Sequence, residues 1–369
     1  MTFSQRLRHA RQAMNLTLID VEERTEIGST SLSDFENGKR EPKLAQLKQL
    51  AHTYRRPIHF FLDENDLTSE IVLWRKKPTS PKVEEIRGEL LNLAEQYHNL
   101  EVWCDDLQPM ELSFATGDKD TFSYPKAEKL AAEFRNKYCL GDRPGQTLVR
   151  VLEEVCKVKV FHLSFEPTGS AACTFSDRYG AAVLLNSHNI RWRRNFDLAH
   201  ELFHLLTWKI FRQGDSGEEV EPSDQEERLA TCFARNLLMP QEALKCAVES
   251  QRGERKKLTF DDLFEVARQF DVSVEALLRH MGFVYGIPKE RIQTTVEQLR
   301  PQMSFWDERE RDAPPSRPLR FHALARQALR RGEIAAGRYA QYVGISRREA
   351  ANLVEQDVEN DAEFEIADF

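Results

Sequence analysis

The chain has 369 residues, with 52 Lys plus Arg, 60 Asp plus Glu and 41 % hydrophobic residues, which is long enough for two or three ordinary cores. Its 16 glycines and 15 prolines, about 8 % of the chain, exclude a collagen-like or elastic architecture and favour helix. A formal net charge of -8 argues against a uniformly basic coat for nucleic acid, and no apolar run approaches the roughly 20 residues of a bilayer span. The expectation is a cytoplasmic protein with no membrane partner and no signal peptide. Cys104, Cys139, Cys156, Cys173, Cys232 and Cys246 are scattered without a C-x-x-C pair, so they read as reduced thiols, mostly in cores.

In chain order, residues 1–66 read as five short amphipathic helices: 3–14, 18–25, one after Gly28, 44–54 and 58–62. Asn37-Gly38-Lys39-Arg40-Glu41-Pro42 is a turn, because Asn and Gly tolerate positive φ and Pro cannot continue a helix. Residues 67–124 read as a helical connector, with a Pro/Ser/Lys linker at 78–82, a helix over 83–102 and an irregular stretch after it. A new domain is expected over 125–300. It has helices at 127–138 and 148–155, short aliphatic strands at 158–163 and 181–185, then helix from 191 to 279 broken at Pro222 and Pro240. A charged, Pro-rich linker covers 301–318, a small helical unit 319–354 and an acidic tail 355–369. The predicted fold class is α+β, mainly α, with one small sheet.

The sharpest chemical signal is His200-Glu201-Leu202-Phe203-His204 within a helical pattern. A spacing of four stacks the two imidazoles on one helix face, the geometry that grips one Zn2+ through two nitrogens. Glu201 is rotated by about 100° from His200, so it can face a water on the metal without ligating, and serve as its general base. A catalytic zinc needs a third protein ligand. The candidates are the neighbours Glu226 and Glu227 at the start of a later helix; they point about 100° apart, so only one can ligate. Asp197, one turn before His200, is a candidate to accept from an imidazole N–H, with a solvated helix-face aspartate as the alternative. Cys232 reads as core. His188 reads as a surface loop residue, with oxyanion stabilisation as the sharper alternative.

Two resemblances follow. Leu7-Arg8, Asn15-Leu16-Thr17 and 35–42 (Phe-Glu-Asn-Gly-Lys-Arg-Glu-Pro) resemble the XRE-type helix-turn-helix domain. The run 193–204 (Arg-Arg-Asn-Phe-Asp-Leu-Ala-His-Glu-Leu-Phe-His), followed by 227–240, is similar to the ImmA/IrrE family of zinc metallo-endopeptidases. That resemblance implies a zincin-like domain with His200, His204 and Glu227 as metal ligands and Glu201 as catalytic acid/base. It also implies cleavage of XRE-type repressors in stress or mobile-element responses, with an XRE domain fused in front in long members. The competing function is a DNA-binding, antitoxin-like regulator whose zinc domain binds a toxin or signal without turnover.

Residues 1–66 hold ten basic and ten acidic side chains, a weak footprint for phosphate binding. The XRE pattern is broken as well, by Glu22 at a small-residue position, Glu26 at a turn glycine and Leu18 at the usual Gln. Candidate DNA contacts are Ser29, Thr30, Ser31 and Ser33, with Lys39 and Arg40. The competing role is partner recognition or dimerisation, giving a homodimer, or an internal copy of the substrate fold. In the C-terminal unit, Ala340, Gly344 and Ala350 fall where a helix-turn-helix wants small residues. Its eight arginines between 317 and 350 face two glutamates, which adds Arg338, Arg347 and Arg348 as DNA candidates. The tail's seven acids read as a disordered solubilising segment, or as one that folds back onto this arginine face or docks on a basic partner.

Overall fold

Local capping explains why the first helices begin where they do. In the computed structural model, which describes residues 2–14, 16–54, 56, 58–62, 71–78, 82–165, 171–212, 221–255 and 257–360, Thr2 closes a capping box on α1 (Phe3–Ala13) and Thr17 closes another on α2 (Leu18–Thr25). They are followed by α3 (Ser29–Glu36), α4 (Leu44–Thr53) and α5 (Ile58–Leu62), within a residue of the expected ranges. The five helices share a core of their own around Leu7, Val21, Leu32, Phe35, Leu50 and Phe61. A buried Glu36 accepts from Arg11 Nε at 2.6 Å and Nη2 at 2.9 Å, tying α1 to α3.

The two glutamates that break the XRE pattern have distinct consequences. Glu22 accepts the Ser29 backbone N–H through Oε2 at 3.1 Å, so its carboxylate caps α3 from outside rather than obstructing it. Glu26 takes the left-handed conformation at φ 58°, where a Cβ costs about 1–2 kcal/mol.

The second layer system is a four-stranded sheet built from β1 (Val72–Trp74), β2 (Lys159–Leu163), β3 (Ala171–Ser176) and β4 (Gly180–Asn186), in the order β1-β3-β4-β2. β2 and β4 are parallel; β3 runs antiparallel to both of its neighbours. Alternation along the strands sends Leu73, Cys173 and Val183 to one face, and Ala172, Ala182 and Leu184 to the other. The first face packs on helices including α7 (Tyr124–Lys137), α8 (Leu148–Glu154), α9 (Arg191–Leu206) and α11 (Asp224–Leu238), with the short α10 (Trp208–Phe211) between the last two. Next come α12 (Gln241–Arg252), α13 (Phe260–Phe270), α14 (Val274–Tyr285) and α15 (Lys289–Arg309). The second face is covered by α6 (Val83–Trp103) with α16 (Leu319–Arg330), α17 (Ala336–Val343) and α18 (Arg347–Asn360).

Three expectations change against this architecture. The stretch 67–124 is not only a helical connector, because β1 joins the sheet and α6 floors it; residues 79–81 of the expected linker lie outside the described residues. The expected linker 301–318 begins as helix, since α15 continues to Arg309 with Pro301 inside it. Its remainder straps back onto the sheet and α9: the His162 N–H of β2 donates to Ser316 O at 3.1 Å, and Arg194 Nη2 of α9 to Asp312 Oδ2 at 2.5 Å. α16 packs against α17, and α18 carries the start of the expected acidic tail on to Asn360; residues 361–369 lie outside the described residues.

Replacing Glu26 with Gly removes the left-handed strain while adding unfolded-state entropy, for a net gain of roughly 0.5–1 kcal/mol. Hydrogen exchange of the α2 and α3 amides is expected to slow by about threefold or more; unchanged or faster exchange would contradict the strain assignment.

Candidate metal centre

α9 is buried on nearly every side, and both imidazoles lie on its inner face: His200 is 1 % and His204 2 % exposed. α11 starts at a Ser223 cap, whose Oγ accepts the Glu226 N–H at 3.2 Å, and its first turn concentrates Asp224, Glu226 and Glu227 where the helix dipole favours anions. That turn packs against α9. Glu227 Oε2 lies 3.1 Å from His200 Nε2, and Glu227 Oε1 lies 3.3 Å from His204 Nε2. One ligand atom from each of the three falls within 4.8 Å of the others.

These separations suit one ion. Ligands at about 2.0–2.1 Å around a tetrahedral centre are roughly 3.3 Å apart. His200 Nε2, His204 Nε2 and Glu227 Oε1 are buried atoms with no hydrogen-bond partner, converging on one point. A divalent metal fits this set, with His200, His204 and Glu227 as its protein ligands.

The neighbouring acid has the other role. His204 Nδ1 donates to Glu226 Oε1 at 2.9 Å, which fixes the tautomer that leaves Nε2 facing the metal point. Arg212 Nη2 donates to the same oxygen at 2.6 Å, so a buried cation holds Glu226 ionised. Sequence reasoning excluded Glu226 as a second ligand but missed this positioning role, whose only signal was its place beside Glu227.

Glu201 is 0 % exposed and neither carboxylate oxygen has a hydrogen-bond partner. Its polar neighbours are the His204 ring and the Cys173 thiol on β3, and burial pushes its carboxyl up to about 7. Burial, and secondarily Arg75, lowers His200 to about 3, which keeps the ring neutral as a ligand must be. For His204 burial acts downward, but the Glu226 carboxylate that accepts from its Nδ1 and the Glu227 carboxylate beside its Nε2 overcome it and raise the ring.

Asp197 does not hold an imidazole. It is buried and accepts from Arg75 and, at 3.2 Å, from Asn189 Nδ2, so the candidate second contact to His200 is replaced by an anchor for the chain around β1. Cys232 is buried beside Arg235 and Asn236, away from the cluster. His188 is exposed and meets Ser164.

The DNA candidates sit apart from this centre. On α3, Thr30 is exposed, while Ser29, Ser31 and Ser33 are half-buried, and Asn37 Nδ2 donates to Ser33 Oγ at 3.2 Å. Lys39 and Arg40 are exposed on the following turn, with Lys39 3.8 Å from Asp34. Arg338, Arg347 and Arg348 are exposed on the C-terminal unit, and Arg338 also lies over the Trp103 ring. The net positive charge counted there does not reach solvent intact: Arg320 is taken up by Glu101 and Asp106, and Arg331 by Asp105, all at the end of α6.

Comparison with known proteins agrees with this layout. Residues 7–61 match the helix-turn-helix family model, so the chain carries a helix-turn-helix domain ahead of the domain that holds the candidate metal centre. Residues 153–281 match the M78 peptidase family described as the IrrE N-terminal-like domain; the candidate metal centre therefore lies in an IrrE/ImmA-like peptidase domain. No curated protein matches the chain. Among solved structures, ComR from Streptococcus suis aligns over 98 % of this chain and 97 % of its own at 12 % identity, with a TM-score of 0.16, too low to transfer anything.

Two outcomes follow. Glu226→Gln removes the charge that orients His204, and metal affinity in a chelator competition is expected to fall 10–100-fold; an unchanged affinity would contradict the positioning role. In the metal-stripped chain the raised Glu201 carboxyl stabilises the fold below its ordinary value near 4.5, and this contribution is lost as pH rises through about 7. Glu201→Gln should therefore be about 3 kcal/mol more stable than the unsubstituted apo chain at pH 8 and no different at pH 4.5, by denaturant titration.

Proposed function

We propose that the chain is a zinc-dependent endopeptidase and regulator that cleaves a protein substrate, an XRE-type transcriptional repressor, in a stress or mobile-element response. The observation that carries this reading is Glu201, a buried carboxyl with two unpartnered oxygens beside the converging His200, His204 and Glu227. A zinc site with a purely structural role has no use for it. His200, His204 and Glu227 would hold the zinc, which would supply a Lewis acid for the scissile carbonyl and lower the pKa of the attacking water. Glu201 takes a proton from that water and passes it to the leaving amine, work suited to a carboxyl held near neutrality. Glu226 and Arg212 keep His204 aimed throughout. The helix-turn-helix domain fits the rest of the reading, binding DNA through α3 and the Lys39–Arg40 turn or pairing chains into a homodimer. The setting is the cytoplasm.

A second reading is supported by the complete burial of Glu201. In it the chain is a DNA-binding, antitoxin-like regulator whose zinc domain binds a toxin or signal without turnover.

The test incubates the zinc-loaded chain with an XRE-type repressor encoded beside it, with and without chelator. Cleavage at one site is expected, lost on chelation and reduced at least 1,000-fold in Glu201→Gln, which still binds one zinc. Cleavage that survives this substitution overturns the mechanism. A repressor left intact by the metal-loaded chain favours the second reading.

A further inference from the structure

One strand of the sheet lies outside both matched domains: the helix-turn-helix match ends at residue 61, the peptidase match begins at 153, and β1 sits between them. It covers the outer edge of β3. Val72, Leu73 and Trp74 pair antiparallel with Thr174, Cys173 and Ala172, and the Arg75 N–H donates to Ala171 O at 3.2 Å. Without β1, that edge would be a bare row of backbone donors and acceptors, the surface that takes up an extended peptide as an added strand.

The edge runs beside the catalytic carboxyl. Cys173, opposite Leu73, neighbours Glu201, and α9 packs against β3. Arg75 then hooks the segment to α9 through Asp197, one turn ahead of His200, with its guanidinium 5.2 Å from the Phe196 ring centroid. Because Glu201 has no exposed surface, a polypeptide reaches it only when something covering it moves. A three-residue strand paired on one side is the part of the sheet that costs least to release.

We propose that residues 71–75 occupy the place of an incoming polypeptide. The β3 edge is a docking strand for an extended chain, and the Arg75–Asp197 hook keeps it filled until that chain displaces β1. The ligand class is read from the occupant: an extended peptide with a large apolar residue where Leu73 is buried against the α9 side, and a cation two residues on, on the same strand face, for Asp197. Calling the incoming chain a substrate rests on the peptidase reading; the docking step needs no turnover.

The experiment uses the full chain and a fluorescent synthetic peptide copying residues 71–78. By anisotropy, Arg75→Ala is expected to bind this peptide at least tenfold tighter than the unsubstituted chain, and adding Asp197→Ala is expected to remove at least fivefold of that gain. Hydrogen exchange at residues 72–75 rises at least tenfold in Arg75→Ala. Equal peptide affinity for the unsubstituted and Arg75→Ala chains, binding to neither, or unchanged exchange at 72–75 overturns the proposal. Peptide uptake without cleavage of any protein retires the peptidase reading alone; cleavage without a gain in Arg75→Ala retires the docking strand alone.

Discussion

The buried contact among Arg212, Glu226 and His204 fixes the relation between α9 and α11, and the candidate metal centre depends on it. Arg212 and Glu226 side chains are only 3 % and 2 % exposed, so their charges must satisfy each other. A buried ion pair is weak evidence for net stability, but removing one partner strands a charge at a cost of about 3–5 kcal/mol. Here the same carboxylate oxygen also accepts from His204 Nδ1. The pair therefore sets the orientation of one imidazole, brings the α11 N-terminus onto α9, and places Glu227 between both Nε2 atoms.

The sheet transmits that placement to the rest of the chain because both its faces are buried. Cys173 and Val183 serve the α9 side, while Ala172 and Ala182 serve the α6 side. On the far side, Glu101 of α6 meets Lys159 of β2 at 3.0 Å and also Arg320 of α16, joining three elements through one carboxylate. The C-terminal helical unit thus completes the second face of the sheet. Its arginines serve partly as internal ties to α6, which is why counting charge along the chain overstated what it offers to nucleic acid.

Features encoded locally were legible in the sequence. The five opening helices could be placed from their amphipathic patterns and turn residues, and the two histidines of the candidate metal centre from a spacing of four. What escaped depends on partners distant along the chain. β1 is three residues long and acquires its meaning only from β3, about a hundred residues later. The positioning role of Glu226 needs Arg212, and Asp197 answers to Arg75 rather than to the histidine one turn away. Glu22 looked like an obstruction because its residue type was wrong for the pattern; its carboxylate in fact reaches the open N-terminus of α3.

The most direct test of the account is X-ray absorption spectroscopy on the zinc-loaded full chain. The account predicts two imidazole nitrogens and one carboxylate oxygen in the first shell, with the remaining position taken by exchangeable solvent and the carboxylate lost in Glu227→Ala. A closed shell containing thiolate sulfur, or a shell unchanged by Glu227→Ala, would contradict it.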